Sequence, residues 1–391
     1  MNPDHSTLQR VNFGPYHPAL KGMVRFMLEL DGEIIQKNTC YPGFTHKGIE
    51  KLLENKPFLH VQKIIENMDQ NFLTPYNFSY ALVLAMEKML DKHPPVRGQF
   101  IRVMLAECGR ILSHLHQIAS IAESIDFGLI SAWSLNLADT LGGLLLEIHD
   151  GYKVRLIPGG VTTDLPSSLL KKISLFLDAN EKKTKEIRSA LLDNVIFKLR
   201  TTQVGIISET EAVSWGLSGP SLRASRVAWD LRRAQPYDVY PLLSFKIPLG
   251  AGGDSFDRTA VRIEEILQSI FIVRQCIDLL PAGEVCDGGH LTVHAKERLK
   301  ESTEALIYHH KWFSEGAKLP VSRLYVSVEG ARGESGLFIS TKDGNTFERV
   351  RLRTPGFFNL QTLESFLKGS YFSDLPTLLA SFDIYSSEVD R

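Results

Sequence analysis

The sequence predicts an α+β fold that is mainly helical: a small β-rich unit, then a central helical bundle, then a β-meander closed by a helix. Two patterns predict it. From about residue 48 to about 315, apolar residues return at three- and four-residue steps, the period of helices with wide buried faces. On either side of that region they alternate, the period of strands with one buried face.

The N-terminal unit is placed at about residues 10–45, where VRFMLELDGEII reads as two short strands about Asp31-Gly32, a dipeptide suited to a tight hairpin. Helical spacing follows in Tyr80, Leu82, Val83, Ala85, Met86 and Leu90, and again from Ile101 to Leu115. Between them Lys92-His93-Pro94-Pro95 must break the helix, because proline lacks a donor and restrains the residue before it. Two antiparallel neighbours are the simplest outcome. Further helices are expected over 166–192 and over 261–280, the latter capped by Asp254 or Ser255. After Lys318, RLYVSVEG, GLFIST and RVRLRT alternate, with a turn at Lys342-Asp343-Gly344-Asn345. No repeat or low-complexity linker divides the chain, so residues 1–391 are read as one domain, with the meander and final helix at about 320–391.

Composition narrows the function. In 391 residues, 44 basic side chains nearly balance 45 acidic ones, so no long-range field would gather nucleic acid or anionic lipid. Cys40, Cys108, Cys276 and Cys286 include no C-x-x-C pair, which argues against a zinc ribbon, an iron–sulfur ligand set or a disulfide scaffold. The first ten residues, MNPDHSTLQR, lack the apolar core of a signal peptide. The longest apolar stretch, residues 127–138, is short for a bilayer and flanked by Asp126 and Asp139, so no transmembrane segment is expected.

Several motifs read better as structure than as chemistry. Gly250-Ala251-Gly252-Gly253-Asp254-Ser255 lacks the third glycine of a dinucleotide loop and any parallel βαβ setting, so a tight turn into a capped helix is expected. His290 and His294 stand four apart without the glutamate of H-E-x-x-H. His309-His310, beside Tyr308 and Trp312, fits amphipathic packing. Arg223, Arg226, Arg232 and Arg233, opposed by Asp230, form the densest basic cluster. With no basic stripe elsewhere it suits ion pairing with carboxylates, inside the chain and at an interface, better than nucleic acid.

The same segment carries a family likeness. GLSGPSLRASRVAWDLRRAQPY at 216–237 resembles the GLTGPxLRASGVxWDLRKxxPY segment of the D subunit of complex I, the hydrogenase-derived subunit of NADH:quinone oxidoreductase. In order along the chain, GPYHPALKG (14–22), PGFTHKGIEK (42–51), GGDSFDRTAVRIEEILQS, EGARGESG (329–336), RTPGFFNLQTLESFLKG and the terminal SFDIYSSEVDR are similar to further segments of that family. The resemblance covers nearly the whole chain.

It implies a bundle of the [NiFe] hydrogenase large-subunit type. The cysteine pairs that hold metal in hydrogenases are replaced here by NMDQNF and FDIYSSEVDR, so a nickel–iron centre has no soft ligands. It further implies a subunit forming one wall of the quinone-reduction chamber of a proton-translocating NADH:quinone oxidoreductase. The neighbours would be the subunit holding the terminal iron–sulfur cluster, the C-type subunit and the membrane arm. NADH, FMN and iron–sulfur clusters would belong to partner subunits, with no cofactor, metal or nucleic acid on this chain. The expected location is peripheral, on the cytoplasmic side of a bacterial inner membrane or the equivalent organelle membrane.

The family's headgroup histidine, tyrosine and backing aspartate correspond to Lys21, Gln70 and Asp126, of which Asp126 alone is kept. Read without the family, Lys21 is a solvated loop lysine and Gln70 a helix residue facing a neighbour, while His17 is a loop-ordering residue. The cluster-facing arginine becomes Asn67, although Asp69 remains, and the family's TGxRxH histidine has no counterpart among residues 151–155. Quinone reduction consumes protons, and Gln70 has none to release near neutral pH. An ion pair between Lys21 and Asp126 is expected, holding the lysine pKa up and leaving slow, inhibitor-insensitive turnover. Two other functions stay open on these substitutions: a structural or regulatory paralogue, and a subunit of a related oxidoreductase with another acceptor.

Overall fold

The computed structural model describes residues 8–287, 296–314, 316, 318–342 and 344–391. His290 and His294 lie outside the described residues.

Strands β1 (Gln9–Phe13), β2 (Arg25–Asp31) and β3 (Ile34–Tyr41) form an antiparallel sheet in that order. The two-residue turn is Gly32-Glu33, one residue later than expected. Gly32 holds a φ of 60°, and Asp31 pairs with Ile34. On β2 every second residue is buried, and Phe26, Leu28 and Leu30 face the core. β1 escapes a reading of the sequence because QRVNF gives only one buried side chain, Phe13.

The helical body opens with α1 (Ile49–Leu53), α2 (Phe58–Asn71), α3 (Asn77–Leu90), α4 (Val96–Ser124) and α5 (Gly128–Leu146), which runs into a π-helical turn at Glu147–Gly151. The Pro94-Pro95 break falls between α3 and α4, as expected. The antiparallel pair does not: α3 packs on α2 and on the C-terminal sheet, while α4 packs against α5 and the later α11. Pro95, at φ −55° and ψ 146°, leads the chain into α4 without folding it back onto α3. Residues 125–127 do fold it back, so α4 and α5 are the antiparallel neighbours.

After the β4 (Leu156–Ile157) and β5 (Gly160–Val161) ribbon come α6 (Ser167–Leu192), α7 (Val195–Thr201), α8 (Glu209–Ser214), α9 (Gly219–Ala224), α10 (Leu231–Ala234) and α11 (Ser255–Asp278). Asp254 caps α11 by accepting from the Asp257 N–H. In the glycine loop before it, one carboxylate oxygen of Asp257 accepts from the N–H groups of Ala251, Gly252 and Gly253. The chain thus fills its own anion nest, and the loop is a turn into a capped helix.

Helices α12 (Lys296–Glu301) and α13 (Thr303–Ser314) lead to the meander β6 (Ser322–Glu329), β7 (Glu334–Thr341) and β8 (Phe347–Arg353). Helices α14 (Pro355–Phe366), α15 (Leu375–Phe382) and α16 (Ser386–Val389) complete the chain. One large apolar core joins α2–α6, α11 and the meander, and a second joins the N-terminal sheet to α14 and α15.

The core also contains ion pairs. Arg223 is fully buried and binds Glu265 at 2.7 Å and Glu329 at 2.8 Å, with Asp230 at 3.5 Å. Arg232 pairs with Asp230 and Glu107, and Glu107 with Arg110. The cluster expected to pair with carboxylates therefore does so internally through Arg223 and Arg232, whereas Arg226 and Arg233 are exposed.

Candidate functional site

Lys21 sits in the loop between β1 and β2, laid against the C-terminal segment. The Lys21 carbonyl accepts from the Ser386 N–H at 3.2 Å, and the Met23 N–H donates to Ser386 Oγ at 3.1 Å. Gly22 is required there: its φ is 111°, and a Cβ would lie 1.9 Å from Ser386 Oγ.

The Lys21 Nζ donates to Asp383 Oδ1 at 2.6 Å, and the other oxygen of Asp383 accepts from Arg332 Nε at 2.7 Å. Asp383 is thus shared by two cations, with the Tyr385 ring beneath both. Arg332 also donates to Glu388 at 3.0 Å and to the Phe72 carbonyl at 2.7 Å. These two arginine bonds tie the turn before β7 to α16 and to the end of α2.

The ion pair expected between Lys21 and Asp126 is therefore replaced by Lys21–Asp383. Asp126 is exposed in the α4–α5 turn at a φ of 64°, and its N–H donates to the Glu123 carbonyl. The expected direction of the lysine shift is corrected as well. Burial lowers the Lys21 pKa, and attraction to Asp383 only partly opposes it. Asp383 is held well below the usual carboxylate range by Arg332 and Lys21, against its own burial.

Gln70, on the last turn of α2, is exposed and lines a cavity of about 240 Å³ with Asp69, Tyr76, Leu112, Leu145 and His149. The wall is mostly apolar with a few polar groups, as small-molecule pockets are. His149 lies on the π-helical turn, a common place for functional side chains. Motif matching overlooks it, because the shortened segment places the comparison at residues 151–155, just beyond it. Asn67 is exposed on α2.

Asp69 explains how the wall is held. Its oxygens accept from the N–H groups of Phe78 and Ser79 and from Ser79 Oγ, so it caps α3 from across the turn, where Tyr76 offers no side-chain cap. Burial nonetheless pushes its pKa up to about 7. Asp69→Ala should cost about 1–2 kcal/mol in melting experiments, as other cap losses do, and Asp69→Asn less. A carboxyl raised in the folded state contributes stability below its unfolded value, and loses it as pH rises towards 7. The wild-type advantage over Asp69→Asn should therefore shrink between about pH 4 and about pH 7 and level off above. A constant difference would count against a titrating Asp69.

Gln70 and Lys21 are thus brought to two sides of one junction, since Phe72, two residues beyond Gln70, is joined to Lys21 through Arg332 and Asp383. Sequence reasoning misses Arg332, Asp383 and Glu388 as site residues, although EGARGESG and SFDIYSSEVDR both stand out as motifs. Buried pairing is the missing signal: charges at chain ends read as solvated.

Residues 152–391 match the family described as "Respiratory-chain NADH dehydrogenase, 49 Kd subunit". The chain is 39% identical to the NADH-quinone oxidoreductase D subunit of Parvibaculum lavamentivorans, over 97% of each chain. The chain belongs to this family. To the D subunit of Rickettsia typhi it is 38% identical, over 97% of this chain and 98% of the relative; to that of Rickettsia felis the figures are the same. As a complex I component of the D type, it carries the Lys21–Asp383–Arg332 junction within the matched region from Arg332 onward, with Lys21 supplied from outside it.

Proposed function

We propose that this chain is the peripheral-arm subunit forming one wall of the quinone-reduction chamber in a proton-translocating NADH:quinone oxidoreductase, docked beside the subunit that holds the terminal iron–sulfur cluster. The C-type subunit and the membrane arm would be its other neighbours, on the cytoplasmic side of the membrane. NADH, FMN and the clusters belong to those partners. The observation that supports the reading is the junction at the end of α2, where the Phe72 carbonyl, two residues beyond the cavity-lining Gln70, is joined through Arg332 and Asp383 to the half-buried Lys21.

The chemistry fits. Gln70 can donate a hydrogen bond that orients a quinone oxygen, and the Lys21 ammonium can give up a proton more readily because burial has lowered its pKa. Asp383 stays ionised, so it holds the ammonium in place and stabilises the charge there. The slow site expected from a lysine held protonated by Asp126 gives way to one in which lysine is a usable acid.

The test is the assembled complex in native membranes. Lys21→Met should lower quinone reduction by about 10²-fold, the scale of a lost general acid, while NADH oxidation by ferricyanide, which needs no quinone, is kept. Wild-type complex that oxidises NADH with ferricyanide but reduces no quinone would instead establish the structural paralogue, the reading favoured by the replaced histidine and tyrosine.

A further inference from the structure

The quinone wall provides two replaced positions and one proton donor, Lys21, for a reaction that needs two protons. A second donor can be found by following the cavity along α4. Leu112 lines the cavity on α4, and Gly142 lines it on α5. The two helices are antiparallel, so one turn further in the same direction comes His116 on α4 and Asp139 on α5. From Glu107 to Ala119 every residue of α4 is buried except His116, which is partly open. The helix therefore has one window in that stretch, and a histidine stands in it.

That window lies within electrostatic reach of Lys21. The charged groups around His116 are Lys21 from the N-terminal loop, Asp383 from the end of α15, Asp139 from α5 and Arg332 from the turn before β7. Lys21 itself is 17% exposed over an Asp383 that is 1% exposed. A partly exposed histidine thus stands within electrostatic reach of a lysine bound to a buried carboxylate, one helical turn from the Leu112 that lines the Gln70 cavity.

We propose that His116 is the second proton donor to the quinone, the role that neither Lys21 nor Gln70 can fill in addition to its own; the assignment rests on the quinone-wall reading. The quinone takes two electrons, one at a time, from the partner's iron–sulfur cluster. One oxygen takes the N–H proton of His116 while the opposite ring nitrogen takes a proton from water in the window, so the ring ends neutral. The other oxygen takes a proton from the Lys21 ammonium, and the free amine regains one from solvent. The sum is one quinone, two electrons and two solvent protons giving one quinol, with the protein unchanged. Burial and the Lys21 charge lower the His116 pKa, which keeps the ring neutral and able to hand protons through in this way.

The experiment uses the assembled complex with a short-chain quinone, ferricyanide as the control acceptor, and the variants His116→Gln and His116→Ala. Both should lower kcat for quinone by about 10²-fold with KM within about twofold, as loss of a transition-state proton donor does, and leave the ferricyanide rate unchanged. Added imidazole should restore much of the rate of His116→Ala and do nothing for the wild type. A His116→Gln variant with near-wild-type quinone turnover overturns the proposal, as does a slow His116→Ala that imidazole does not rescue. Wild-type complex without quinone reduction removes the quinone-wall reading and this proposal with it. If the variants fail to assemble, photolabelling of the wild-type complex with an azidoquinone decides: label on the α4 peptide around His116 supports the assignment, and label confined to other peptides overturns it.

Discussion

Arg223→Ala is expected to destabilise the chain by about 3–5 kcal/mol, because it strips a buried cation from several carboxylates at once. Glu265, Glu329 and Asp230 all converge on this guanidinium, and each is almost wholly buried. Glu265 is held far below the ordinary carboxylate range chiefly by Arg223, against burial. With the arginine gone, that carboxyl would take up a proton or draw in water, and its remaining partner, His114 at 2.9 Å, would be left to carry the charge. Arg223→Lys should fall between the two, since one ammonium cannot fork to carboxylates on opposite sides. The measurement is urea or thermal melting of the purified chain, together with incorporation into the complex. A fully assembled, normally stable Arg223→Ala complex would show that the ion-pair core contributes nothing.

The second large effect is expected at Asp383. Asp383→Asn keeps the shape but leaves Lys21 and Arg332 facing each other in a buried space, which should cost about 3–5 kcal/mol and abolish quinone reduction while ferricyanide reduction by any assembled complex survives. The pH dependence follows from the sign of the shift. Asp383 is depressed in the folded state, and so is Glu107, to about 2. A depressed carboxyl stabilises above its unfolded value of about 4, and that stability is lost as pH falls through the folded value. Wild-type stability should therefore fall steeply below about pH 4, and more shallowly in Asp383→Asn. Parallel acid limbs would show that the pair carries no linkage.

What can be read from the sequence is what depends on near neighbours. The alternation in RLYVSVEG and GLFIST appears as β6 and β7, and Asp254 caps α11. Long-range pairing cannot be read. A buried arginine and a solvated one look alike in a string, and Arg223 and Arg226, three residues apart, have opposite fates: the first is buried among carboxylates, and the second is exposed at a left-handed φ of 71°. Likewise motif position pairs Asp126 with Lys21, while the real partner is an aspartate in the final motif. His116 carries no signal, since its spacing is that of any core position on α4, and its partial exposure depends on what packs around the helix.

The bond between Lys21 and Asp383 spans 362 positions, and this separation sets an order of events during synthesis. At about 5–20 residues per second, the lysine is added to the chain on the order of 20–70 s before its aspartate. Until then Arg332 and Lys21 have no shared anion, and the N-terminal loop has no Ser386 to grip. The Lys21–Asp383–Arg332 junction is therefore among the last parts of the nascent chain to take shape. A partner that recognises the finished junction would pass over incomplete chains, so the junction doubles as a mark that the chain has been made to its last residues.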